Sequence, residues 1–174
     1  MSSINADSYS IARPTGVCAH DGRAFEEGEQ FVATLSELED QEGFERQDFS
    51  LDAWEQEIRP ARLLGFWRAI QPGANEKPKP FIDDASLLEM FEQLEGEEDR
   101  ARQSFRFMLG LVLMRKRLIR EVGRQSSEGT RVMLVRTRGS DPELDAMRLI
   151  DPGLDEQALK SATEQLGAIL RGDQ

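Results

Sequence analysis

Cys18 and His20 are the sole cysteine and the sole histidine of the 174-residue chain. In an extended segment residues two apart point to one face, so a thiolate and imidazolium pair can form there, with Asp21 as an orienting acid. Nucleophilic catalysis would also need an oxyanion site, for which only nearby backbone amides are available. The same three residues make an incomplete metal set, because no clear fourth ligand accompanies them. With 33 acidic residues no carboxylate pair stands out as acid and base, and neither a glycine-rich phosphate loop nor a dinucleotide fingerprint occurs. The expectation is a noncatalytic protein without cofactor or metal, the alternative being a thiol-dependent enzyme centred on Cys18 with His20 as base.

Charge supplies a second set of candidates. The formal charge of -11 disfavours nonspecific binding to nucleic acid, which draws its affinity from neutralised phosphates. The balance is uneven along the chain. Residues 26–58 hold twelve acids against the single base Arg46, whereas residues 100–138 hold eleven bases against Glu121 and Glu128. Arg115, Lys116, Arg117, Arg120, Arg131, Arg136 and Arg138 are the candidate face for an anion or a partner. Strand alternation puts Arg136 and Arg138 together, while the helix register against that strand is not given by the sequence.

The elements that must carry these residues read as α+β. Residues 8–12, 30–35 and 44–49 are β-prone between Gly22, Gly28 and Gly43, which predicts a small antiparallel sheet. A helical turn is expected at 53–59 before Pro60, then a strand or extended segment at 65–70, with Trp54, Phe66 and Trp67 as anchors. Residues 71–80 contain three prolines and a glycine among polar residues, a linker composition. A helix follows, capped by Asp83 or Asp84, with Leu87, Leu88, Met90, Phe91 and Leu94 on one face before Gly96. The next helix is expected to start at Glu97 and Glu98 and to place Arg115, Lys116, Arg117 and Arg120 at its negative end before Gly123. Its apolar residues at 105, 107–109 and 111–114 go right round, as in a helix at the centre of a fold. A polar loop at 124–129 then leads to a β-hairpin of 130–137 with 144–150, and a last helix carries Leu154, Ala158, Leu159, Ala162, Leu166, Ile169 and Leu170 on a stripe.

The segment Cys18-Ala-His-Asp21-Gly22-Arg23-Ala-Phe25-Glu-Glu-Gly28-Glu29, followed by Arg46-Gln-Asp48-Phe49-Ser50-Leu-Asp-Ala53-Trp54, resembles a zinc-ribbon or treble-clef hairpin over about 40 residues. In those families Cys-x-x-Cys precedes Gly-Arg or Gly-Lys, a hydrophobic residue and Gly-Glu, and a second Cys-x-x-Cys precedes an aromatic residue. Here the spacing is kept and the ligands are not. Cys18 remains, while Asp21, Ser50 and Ala53 stand at the other three places, and alanine binds no metal. The resemblance therefore implies a degenerate, metal-free hairpin. Gly22 and Gly28 supply turns, Phe25, Phe31, Phe49 and Trp54 fill the space a metal would organise, and Arg46 is expected to pair with Asp48 or Glu29. Across most of its length the chain is also similar to an uncharacterised family of small proteins from planctomycete-type bacteria, through this motif, the Gly-Phe-Trp segment, the Phe-Ile-Asp-Asp helix start, Leu-Val-Leu-Met-Arg-Lys-Arg-Leu and Asp-Pro-Gly-Leu-Asp.

The resulting expectation is a β-rich degenerate zinc-ribbon-like unit at 1–70, a Pro-rich linker at 71–80, and a three-helix layer with a β-hairpin at about 130–150 within 81–174. The function expected is a protein-interaction or regulatory module with a protein partner, the alternative being an anion or RNA binder through the basic helix and hairpin. The first nine residues have neither the basic start nor the apolar run of a secretory signal, a lone cysteine excludes an intrachain disulfide, and no apolar run nears the roughly 20 residues of a membrane span. An acidic, bacterial, cytoplasmic protein without a membrane segment is expected.

Overall fold

The computed structural model describes residues 15–40, 43–76 and 82–171, without the side chains of Gln165 and 168–171. The chain is α+β, with two three-stranded antiparallel sheets. It divides into two compact units, one running to Ile82 and taking in the end of the last helix, the other Asp83–Gly167. The strand expected at 8–12 lies outside the described residues, as do residues 77–80 of the expected linker.

In the first unit β1 (Gln30–Glu37) is central, flanked by β2 (Phe44–Ser50) and β3 (Leu63–Ile70). The register pairs Phe31 with Ser50 and Ala69, and Ala33 with Asp48 and Trp67. Pleating therefore sends Asp48 and Ser50 to the same face as Phe31 and Ala33. Cys18, Phe25, Phe31, Ala33, Phe49 and Ala53 are buried together, and Trp54, Ile58, Trp67 and Ala69 pack against them, while Val32 on the opposite face of β1 is buried as well. Phe25 stacks on Phe31 with centroids 4.8 Å apart. Burial of each of these rings is worth roughly 1.5–3 kcal/mol. α1 (Leu51–Glu55) begins two residues before the helical turn expected at 53–59, because the Ser50 hydroxyl caps it by accepting from Ala53 N–H at 3.2 Å.

In the second unit, α2 (Asp84–Gln93) starts at the cap Asp83, whose carboxylate accepts from Ser86 N–H at 2.8 Å, and Gly96 follows its end at φ 77°. α3 (Arg100–Arg115) is shorter at both ends than its periodicity suggests. Asp99 caps it, accepting from Arg102 N–H at 3.0 Å, so Glu97 and Glu98 precede it. Its end is closed by two bonds, Arg117 N–H to Met114 C=O at 3.0 Å and Leu118 N–H to Leu113 C=O at 2.9 Å, with Arg117 left-handed at φ 62°. This is a Schellman closure made by a residue other than glycine. The helix expected to reach Gly123 thus stops seven residues after Met108, and Arg120 belongs to a strand.

That strand, β4 (Ile119–Ser127), replaces the polar loop expected at 124–129. It turns through Glu128 at φ 50° and Gly129 at φ 81° into β5 (Thr130–Thr137), a two-residue turn whose twist suits a hairpin. β5 pairs on its other side with β6 (Met147–Ile150), so the expected hairpin is the second half of a three-stranded sheet. α3 packs on β4 and β6 and against α2. Leu87, Met90, Phe91, Phe105, Leu109, Leu113, Ile119, Val135 and Leu149 are buried there. Gly110 permits the approach, since a Cβ at that position would lie 2.6 Å from Leu149 Cδ2 and 3.2 Å from Phe91 Cε2. α4 (Glu156–Arg171) is capped by Asp155 and buries Thr163 and Leu166. Leu154 precedes this helix and is 39% exposed, which removes it from the expected stripe, while the side chains of Ile169 and Leu170 lie outside the described set.

Candidate functional site

The N-terminal motif folds around Cys18, which is fully buried. Gly22 at φ 72° lets the chain turn so that Gly22 N–H bonds Cys18 C=O at 2.8 Å, and Cys18 N–H bonds Arg23 C=O at 2.8 Å. Ser50 N–H donates to Cys18 Sγ at 3.3 Å, and Sγ lies 3.7 Å from Ser50 Oγ. Positions 18, 50 and 53 are thereby joined through Ser50, whose hydroxyl also receives Ala53 N–H. Asp21 stands at the exposed edge of the turn. Its carboxyl is held below the ordinary range first by Arg23 N–H, at 3.1 Å, and then by the Cys18 thiol and nearby positive charge. His20 is exposed while the thiol is not.

The other motif residues brace this turn. Arg23 makes a fork to Glu29, at 2.6 and 3.1 Å, and Glu29 accepts Glu26 N–H at 2.8 Å beside Gly28 at φ 78°. The Arg23 guanidinium foremost, and the Glu26 amide after it, hold the Glu29 carboxyl below its usual range. Arg46 pairs with Asp48 at 2.9 Å, with both side chains buried, and its guanidinium lies 5.2 Å from the Trp67 ring centre. The second Asp48 oxygen accepts Thr15 N–H at 2.8 Å and the Thr15 hydroxyl at 3.2 Å. Between the two partners anticipated for Arg46, the geometry thus selects Asp48. Trp54 packs on Phe49 and Phe66 and carries Arg59 3.4 Å above its ring.

The seven basic candidates do not form one group. Arg115, Lys116 and Arg117 are exposed where α3 ends, and Lys116 pairs with Asp84 at 3.0 Å. Arg120 lies directly opposite Arg136 in the β4–β5 ladder, and Arg138 follows two residues later, its N–H bonded to Leu118 C=O at 2.8 Å. Alternation puts these three on one face, and it sends Arg131 to the other, where it pairs with Asp151 at 3.1 Å. The arginine face gains a member missing from the candidate list. Arg148 pairs with Leu134, so it stands diagonally from Arg136 across the β5–β6 ladder. Leu134 and the buried Val132 continue this face away from the arginines. Position in a β-pair is the signal that locates Arg148, and a solitary arginine among Met147, Leu149 and Ile150 gives little hint of it.

Arg120, Arg138 and Arg148 are exposed and Arg136 is half-buried, and among the described residues none of the four makes an ion pair. Two like charges directly opposite in a ladder are unfavourable. Their presence without a carboxylate makes this row the best candidate for binding an external anion.

Arg106, unremarked among the apolar residues of α3, is 5% exposed. Its Nε donates to Phe91 C=O at 3.0 Å, Nη1 donates to Arg148 C=O at 2.5 Å, and the guanidinium stacks 4.2 Å from the Phe91 ring centre. Burial pulls its pKa below the usual arginine range, and Glu95 acts in the opposite direction. Among the described residues no group of three or more His, Cys, Asp or Glu side chains could hold a metal ion, and no helix is long and apolar enough to cross a membrane. Comparisons with protein-family models, curated proteins and solved structures found no match.

Proposed function

We propose that the protein is a noncatalytic interaction module, and that Arg120, Arg136, Arg138 and Arg148, together on one face of the β4-β5-β6 sheet, engage an acidic segment of a protein partner. The observation carrying this reading is the Arg120–Arg136 pair, an unfavourable juxtaposition of like charges with no carboxylate among the described residues to offset it. Guanidinium groups match carboxylates in a planar, forked geometry. RNA is the less suitable anion. Single-stranded RNA is held by base stacking on aromatic rings as well as by charge, and the aromatic residues of this unit, Phe91, Phe105 and Phe107, are all buried.

The decisive experiment is fluorescence anisotropy of a Glu/Asp-rich peptide and of a single-stranded RNA of equal length, with the intact chain and with Arg120→Glu/Arg136→Glu. The expected result is peptide binding that weakens as salt rises and falls at least about tenfold in the double variant, as for loss of two charge-assisted contacts. Unchanged peptide affinity in the variant, or tighter binding of RNA, would sink the proposal.

For the N-terminal unit we infer a metal-free relative of the zinc-ribbon hairpin that serves as a rigid support. A tetrahedral site with zinc–sulfur bonds of about 2.3 Å has ligand–ligand edges of about 3.8 Å. The 3.7 Å between Cys18 Sγ and Ser50 Oγ is close to that edge, which supports a hydroxyl standing in a former ligand place. The unpaired Cys18 and the resemblance to planctomycete-type proteins support a bacterial, cytoplasmic setting.

A further inference from the structure

The guanidinium of Arg106 is left incomplete by the fold. Two of its nitrogens reach backbone carbonyls, those of Phe91 and Arg148, while Nη2 is buried and has no hydrogen-bond partner among the described residues. Among the described residues no carboxylate forms an ion pair with it, Glu95 acting on it only through space, and a buried cation without a full set of acceptors is strongly unfavourable. A pocket of about 320 Å³ opens beside it, at the lower end of the size range of small-molecule sites. Leu94, Leu149 and Ile150 give this pocket aliphatic walls, and Glu95, Glu97, Glu98 and the exposed Arg148 line it as well.

We infer that this pocket binds a small aliphatic monocarboxylate, its carboxylate oxygen accepting the free N–H groups of Arg106 Nη2 and its hydrocarbon body lying on Leu94, Leu149 and Ile150. Three features select that class. The missing partner is an acceptor, and a negatively charged one compensates the guanidinium. The walls are apolar, which suits a hydrocarbon tail. The three glutamates outnumber Arg148 in the lining, which disfavours phosphates and dicarboxylates while tolerating one charge that is neutralised at depth. Because Nη2 is shielded from solvent, a slight opening of the side chains around it accompanies entry. The pocket shares Arg148 with the arginine row, but the peptide-binding proposal is tested through Arg120 and Arg136, so its failure and the failure of this inference are read separately.

The test is a titration of the full-length protein, labelled at arginine nitrogen, with butyrate, butyramide and inorganic phosphate, followed by the Nε–H signal of Arg106. Arg106→Lys assigns that signal. Butyrate is expected to give a saturable shift, butyramide to bind at least about tenfold more weakly because a neutral acceptor makes the weaker bond, and phosphate to leave the signal in place. Ile150→Trp, which fills the pocket without removing the guanidinium, is expected to abolish the butyrate response while retaining the folded spectrum. No saturable shift with butyrate, or equal binding of butyramide, would overturn the inference and assign the unmatched N–H groups to ordered water.

Discussion

At the scale of single residues, the most consequential group is Asp48. Its two oxygens hold Arg46, Thr15 N–H and the Thr15 hydroxyl, all beside the face of β1 that carries Phe31 and Ala33. Asp48→Ala leaves the Arg46 guanidinium buried without that carboxylate, and urea denaturation is expected to register a loss of about 3–5 kcal/mol. Replacing both partners by apolar residues, as Arg46→Met/Asp48→Leu, is expected to recover much of that loss, since the desolvation cost of the ions goes with them. The Arg23–Glu29 fork is solvent-exposed and contributes through its titration. Because the folded carboxyl pKa is lowered, its stabilisation is present above the unfolded value and is lost as pH falls through the folded one. Titration by NMR is expected to find Glu29 below the ordinary glutamate range in the native chain and moved upward in Arg23→Gln. Motif spacing made Cys18, Gly22, Arg23, Glu29, Arg46 and Asp48 legible as a unit. Arg106 was not, because a charge inside an apolar run signals neither burial nor the carbonyls that receive it.

At the scale of elements, the informative failure is the end of α3. Helical periodicity and the basic run 115–117 both continue to the Schellman closure, and the position that turns left-handed is Arg117, where glycine is the usual residue. With no glycine to mark the stop, the helix reads on to Gly123. β4 was missed for a related reason. Nearly all of its residues are exposed, so it has no alternation of apolar and polar positions to announce a strand. By contrast β1, β2, β3 and β5 were legible from β-prone residues bounded by turns. The closure gives a direct test: Arg117→Gly relieves a backbone conformation that costs a residue with a Cβ about 1 kcal/mol or more, and thermal unfolding is expected to move upward accordingly. Within the ladder, Arg136→Thr removes the charge facing Arg120 and is expected to stabilise the chain by roughly 0.2–1 kcal/mol while weakening acidic-peptide binding. A variant that lost stability and binding together would instead indicate that Arg136 holds the sheet.

At the scale of the whole molecule, the charge asymmetry and the α+β class were visible from composition and pattern, whereas the grouping of the arginines required the strand register. The Cys18 turn invites a constructive experiment. Asp21→Cys/Ser50→Cys/Ala53→Cys restores four thiols at the places the motif spacing specifies, and isothermal titration calorimetry is expected to detect one zinc ion bound per chain. Absence of binding would count against descent of the hairpin from a metal site. In the natural chain the same turn is closed by the hydroxyl and amide of Ser50, both supplied by the polypeptide itself. On the metal-free reading proposed for this hairpin, its assembly during synthesis is expected to have no step that waits on metal supply, and a chelator is expected to leave the pool of folded molecules unchanged.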